Sequence, residues 1–159
     1  MYLATSQERF RALYSTLVTS STITAPSATA TAPTGEGIYD TPINSVKLAF
    51  YGTDTADQTF TARVTGWSRV GDVWIPVPLL ALSGILGTMT GVAGQTLTAS
   101  HLLGDTLTVS TAFTTAYEII NPTANQVAIA KVDVAGCERV QVQVAKGTAV
   151  SVGVLAASY

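Results

Sequence analysis

The chain has 159 residues, of which 47% are hydrophobic and only 11% charged, with a formal net charge of −2. That length suits one domain with one good core, and such sparse charge, against about 25% in an average soluble domain, fits a surface covered by other subunits. Eight scattered basic residues make no patch for nucleic acid or an anionic membrane, and the lone Cys137 excludes an internal disulfide framework or a cysteine-cluster metal site.

At the start, Glu8, Arg9 and Arg11 leave no basic segment followed by an apolar run, so no secretory leader is read there. Thr5-Ser-Gln-Glu8 fits a capping box. Phe10, Leu13, Tyr14 and Leu17 then recur at helical spacing. The expectation is one short amphipathic helix over residues 5–18, whose apolar face packs on its own domain or a neighbour. Residues 19–37 are Thr, Ala, Ser and Pro with Ile23 as the one apolar anchor. Such a composition cannot build a core and reads as an extended arm stiffened by Pro26 and Pro33.

From Ile38 onward the period changes to two. Val46, Leu48 and Phe50 share one face, as do Phe60, Ala62 and Val64 in the next segment. Gly71-Asp72 is a turn signal, and Pro76 and Pro78 mark Trp74–Pro78 as an edge strand or extended piece. Thr96-Leu-Thr-Ala-Ser100 is echoed by Thr106-Leu-Thr-Val-Ser110 across a short loop. Tyr117–Ile120 ends at the turn Asn121-Pro122, and three alternating runs follow at 127–134, 139–145 and 149–155. About eight short strands at this spacing imply a mainly β chain: an antiparallel sandwich, jelly roll or barrel over 38–159, preceded by the helix and arm of 1–37. Residues 73–100 carry no charge, and Gly87-Thr-Met-Thr-Gly91 has the spacing of paired membrane helices. The dense apolar part is only about a dozen residues, short of the ~20 a spanning helix needs, so no membrane segment is expected.

Chemistry-bearing patterns are scarce. His101 is the one histidine, and there is no Gly-x-Ser-x-Gly elbow beside which it could serve as a base. Asp40, Asp54, Asp57, Asp72 and Asp105 lie in expected turns, where aspartate bonds its own backbone, and they do not make a calcium loop. Gly84, Gly87, Gly91 and Gly94 lack the Lys-Ser/Thr of a phosphate loop. Trp67 and Trp74, near Arg63 and Arg69, could form a sugar platform, although packing explains them as well. No catalytic, metal or cofactor residues are assigned.

Asp133-Val-Ala-Gly-Cys-Glu-Arg-Val-Gln-Val-Gln-Val144, Gly147-Thr-Ala-Val-Ser-Val-Gly-Val154 and Phe60-Thr-Ala-Arg-Val-Thr-Gly-Trp-Ser-Arg-Val-Gly-Asp-Val-Trp-Ile75 resemble strands of small virion proteins of tailed bacteriophages. With its Thr/Ala/Val/Gly wealth and arm, the whole chain is similar to capsid decoration, or cement, proteins. The resemblance implies a β-sandwich or jelly-roll body that is non-catalytic and trimeric or dimeric. It implies binding on the capsid exterior of the virion, across contacts between copies of the major capsid protein. A carbohydrate- or receptor-binding β-sandwich of a phage tail or fibre is the alternative. Expected partner-contact residues are Phe10, Leu13, Tyr14, Leu17, Ile23, Trp67, Trp74, Leu79 and Leu80.

Overall fold

A computed structural model describes residues 10–40, 42, 45–52, 58–86, 97–103, 106–112, 119–120, 127–134, 136–147 and 152–158. For 58–59, 82–86, 97–103, 106–112, 119–120 and 127–131 it describes the backbone alone. The described part is mainly β and contains no helix. Its strands are β1 (Arg11–Ala12), β2 (Ile38–Tyr39), β3 (Ser45–Gly52), β4 (Gln58–Val70), β5 (Val73–Leu86), β6 (Leu97–Leu103), β7 (Thr106–Ala112), β8 (Ile119–Ile120), β9 (Val127–Asp133), β10 (Arg139–Lys146) and β11 (Val152–Ser158). They form two antiparallel sheets. The first has the order β1-β11-β3-β9-β8, and the second β2-β10-β4-β5-β6-β7.

Alternation decides which side chains meet between the sheets, because neighbouring residues of a strand face opposite ways. Val46, Leu48 and Phe50 of β3 join Val152, Val154 and Ala156 of β11 from one side. Phe60, Ala62 and Val64 of β4 join Val140, Val142 and Val144 of β10 from the other. The Phe50 and Phe60 rings meet across the core with centroids 5.1 Å apart, an ordinary separation for an aromatic pair. Valine dominates this core because its branched side chain suits a pleated surface.

Several local expectations hold. Gly71-Asp72 turns β4 into β5 in register Val70↔Val73, with Gly71 at φ +61°. The echoed segments pair with each other as β6 and β7. The prolines of β5 stand where its pairing is one-sided: β6 pairs only with Leu80–Gly84, so Val73–Leu79 has β4 alone beside it among the strands described. Trp74 directs its N–H and C=O away from β4. By alternation, Pro76 and Pro78 occupy the next outward positions, where the missing N–H costs the β4 ladder nothing.

The helix expected over 5–18 is a correction. Residues 5–9 lie outside the described residues, and from Phe10 to Val18 the chain is extended or bent. Arg11 and Ala12 pair with Ala156 and Leu155, Leu13 N–H donates to Val154 O at 2.9 Å, and Val18 bridges Val152. The open edge of β11 supplies partners for this backbone, and that pairing overrides a local helical pattern too short to persist without packing. The helical stripe is accordingly split: Leu13 is buried, Tyr14 and Leu17 are half-buried, and Phe10 is exposed.

Phe50→Ala is expected to cost about 3–5 kcal/mol in urea unfolding by leaving a cavity at the centre of both sheets. Gly37 has φ +78°, and a Cβ there would lie 2.6 Å from both the Tyr14 hydroxyl and Val142 O. Gly37→Ala should therefore lose about 2–4 kcal/mol. Gly71→Ala, with φ +61° and open space around the added Cβ, should lose only about 1–2 kcal/mol.

Candidate interaction surface

The segment 10–40 joins the two sheets along one side. Leu13 N–H donates to Val154 O of β11, Gly37 N–H donates to Leu13 O at 2.7 Å, and Val142 N–H of β10 donates to Gly37 O at 2.7 Å. A second crossing lies further along: Val18 pairs with Val152, and Lys146 N–H of β10 donates to Ser20 O at 2.8 Å. Edge groups that would otherwise face water are satisfied within the chain.

Side chains reinforce this seam. Tyr14 Oη donates to Val142 O at 2.6 Å, and burial of the phenol raises its pKa, with Glu36 adding to the effect. Arg11 donates to Asp40 at 2.8 Å and lies over the Tyr39 ring, 5.0 Å from its centroid. Glu36 accepts from both the N–H and the hydroxyl of Ser15. The Ser15 bonds hold the Glu36 carboxyl below its usual range, and the bond from Arg11 does the same for Asp40. Tyr39 Oη accepts from the Ser158 N–H at 2.9 Å, tying β2 to the last strand.

Between Ser20 and Gly37 the chain leaves this seam and returns to it. Ser20 lies at the open edge of β10. Thr29 lies two strands away at the open edge of β5, exchanging backbone bonds of 3.0 and 2.7 Å with Trp74. Gly37 is back beside β10. With the core filled, the path out and back crosses the outer face of the second sheet as a strap. On the way out Ile23, Pro26 and Thr29 are half-buried at intervals of three, the repeat of a polyproline II chain. On the return, Arg139 donates to Pro33 O at 2.5 Å.

The face beneath the strap is built by alternation from Arg63, Thr65 and Trp67 of β4, Trp74 of β5, and Arg139, Gln141 and Gln143 of β10. Trp67 is 3% exposed and Trp74 8% exposed, so in this structure they do not line an open groove. Trp67 donates to Gln141 at 3.2 Å, and the Arg139 guanidinium lies 5.4 Å from the centre of the Trp74 ring. Among the described residues, Arg63 Nε, Thr65 Oγ1 and Gln143 Oε1 are buried there without a protein hydrogen-bond partner. Arg63 and Gln143 are directly opposed across β4 and β10, with Thr65 two residues further along the same face.

The opposite side of the hairpin is apolar and open. Val70, Val73, Ile75 and Val77 are 61%, 41%, 40% and 37% exposed. They continue the core-facing side of β4 and β5 beyond the end of the core. Of the expected contact residues, Leu13 and Leu80 are in the chain's own core, with Tyr14 and Leu79 packed against it. Ile23 lies on the strap, Trp67 and Trp74 lie under it, and Phe10 is open to solvent. Val73, Ile75 and Val77 fall within the uncharged stretch 73–100, a candidate contact region from the sequence, but alternation assigns their side chains to an inner face, and only the tertiary structure shows that the core stops short of them.

His101 lies in β6, in register with Leu80 of β5. Asp54, Asp57 and Asp105 lie outside the described residues. Asp72 pairs with Arg69 at 3.3 Å in the β4–β5 turn. Cys137 packs beside Gly66, and burial raises its thiol pKa. Among the described residues no three potential metal ligands cluster, and no helix is long and apolar enough to cross a membrane. No family model, curated protein or solved structure matches the chain.

Because Glu36 and Asp40 have lowered pKa values in the folded chain, their contribution to the seam is full above the ordinary carboxylate range and is lost as acid protonates them. Urea midpoints followed from about pH 6 to about pH 3 should fall less steeply in Glu36→Gln/Asp40→Asn than in the unmodified chain. Arg139→Ala removes the bond to Pro33 and the contact with Trp74. It should speed cleavage between residues 21 and 34 by a broad-specificity protease several-fold, while the sheets stay folded by circular dichroism.

Proposed function

We propose that this chain is a non-catalytic virion structural protein, a capsid decoration protein with a jelly-roll-like body. It binds the exterior of a tailed-phage shell across contacts between major capsid subunits and holds them together. The observation that supports this most directly is the pairing of a two-sheet body with a charge-poor strap and an exposed apolar ladder, both on the second sheet. A rigid body with an extended Thr/Ala/Pro segment offers broad contact surfaces, and many copies on one lattice multiply weak individual contacts into firm attachment.

The role asks nothing of the chain beyond binding: no cofactor, no nucleic acid and no membrane. Homo-oligomers, with a trimer favoured and a dimer possible, would set several contacts on the shell at once. The glycan-binding alternative needs Trp67 and Trp74 to be accessible, and it therefore requires the strap to leave the outer face first.

Co-sedimentation with phage shells assembled without their decoration protein tests the proposal. Binding should saturate at a fixed number of copies per shell and raise the temperature at which the shell comes apart. Ile75→Asp/Val77→Asp should weaken this binding at least tenfold without unfolding the chain. A chain that leaves every such shell unbound, yet is retained on a glycan array, would replace the proposal with the alternative.

A further inference from the structure

We propose that the strap and the second sheet enclose an ordered water, held by Arg63, Thr65 and Gln143. Among the described residues, Arg63 Nε, Thr65 Oγ1 and Gln143 Oε1 are buried without a hydrogen-bond partner, and Thr65 is only 2% exposed. Gln143 is directly opposite Arg63 across β10 and β4, and Gln141↔Thr65 is the next pair on the same face. Side chains placed this way have Cβ atoms about 5 Å apart across the strands and roughly 7 Å apart along one. One small molecule can reach all three.

The strap covers these groups without bonding them. Its outgoing limb runs from Ser20, beside Lys146 of β10, to Thr29, beside Trp74 of β5. The register puts Gln143, Arg63 and Thr65 on the diagonal between those two points. Along this limb Ile23 and Pro26 are half-buried, whereas Ser21, Thr22, Thr24 and Ser27 are exposed. The limb turns its apolar side chains to the sheet and its hydroxyls to solvent. A polar group buried bare costs more than a paired one gains, and nearly all such groups in proteins are satisfied by protein or by water.

The chemistry of the three atoms selects water. Arg63 Nε–H only donates, Gln143 Oε1 only accepts, and the Thr65 hydroxyl does either. A water accepts from the first, donates to the second and bonds the third, which makes about three bonds, the usual number for a buried water. An anion would meet the Gln143 oxygen as acceptor against acceptor, and a metal cation would be repelled by the Arg63 charge. The face also has room. On β5, Ala81 stands opposite Arg63 and Pro78 opposite Thr65, so short side chains adjoin the long Arg63 and Gln143 and the surface dips between them. The strap is thereby joined to the sheet through a wet layer, which suits a segment whose one large aliphatic side chain is Ile23.

Thr65→Val in the full chain is the decisive substitution, because valine keeps the shape and suits a strand while removing the hydroxyl. A hydroxyl buried with no partner is better removed, so its loss would leave the chain as stable as before or more so. A hydroxyl bonded to an enclosed water is missed. Urea unfolding of the variant reads the sign of the effect. Rotating-frame water contacts, measured by NMR at the Arg63 Nε proton of the unmodified chain, read the water itself and separate it from proton exchange.

The proposal expects the unfolding equilibrium constant to rise about three- to tenfold in Thr65→Val, and a direct contact between the Arg63 Nε proton and a water that tumbles with the protein. It is overturned if Thr65→Val is as stable as the unmodified chain or more stable. It is equally overturned if the Arg63 Nε proton has no contact with such a water. Crystals of the chain grown in bromide that give an anomalous peak between the three side chains would overturn it in favour of an anion. Each measurement uses this chain alone, so failure here is distinct from failure to bind a shell.

Discussion

The chain of backbone hydrogen bonds from Val154 through Leu13 and Gly37 to Val142 is the constraint on which the rest of this architecture depends. Two stacked sheets expose two edges along each side, and each edge is a row of unpaired donors and acceptors. Here one such side is sewn shut by two short pieces, Arg11–Leu13 and Gly37–Tyr39, each pairing with a different sheet and with each other. Gly37 is the point of closest approach. Its positive φ and missing Cβ let the backbone pass between the Tyr14 hydroxyl and Val142 O, a passage no other residue makes without displacing one of them.

Once that seam is fixed, the strap follows from it. Both ends of residues 20–37 are held at β10, so the intervening chain must form an excursion, and the sheet face beside it is the nearest surface. The prolines of β5 then set where the excursion turns. Pro76 and Pro78 offer no outward N–H, which leaves Trp74 as the donor on that stretch of edge, and Thr29 takes it. A charge-poor segment with almost no apolar side chains acquires a defined path because its backbone groups are caught at three places.

The face and the ladder on the β4–β5 hairpin are two consequences of its length. β4 and β5 run past the end of the core, so one side of their overhang carries Trp67 and Trp74 under the strap while the other carries Val73, Ile75 and Val77 open to solvent. In a body with so few charges, that combination puts a strap-covered aromatic face and an open apolar row on one hairpin. It directs attention to the second sheet rather than to residues such as Leu13 and Leu80, which the core uses.

Much of the body was legible from alternation alone. Val140, Val142 and Val144 could face only one way, and Gly71-Asp72 could be little other than a turn, because strand period and turn chemistry are local properties. The helical spacing of Phe10, Leu13, Tyr14 and Leu17 was equally visible, and it misled, because an open β11 edge supplied backbone partners that no local pattern records. Likewise, composition showed that residues 19–37 could not make a core, but not that they lie across Trp67 and Trp74. The amino-acid order determined which side chains would alternate and where the chain could turn. Only the tertiary structure decided which edges met, where the core ended and what the strap covered, since each of these depends on backbone groups brought together from opposite ends of the chain.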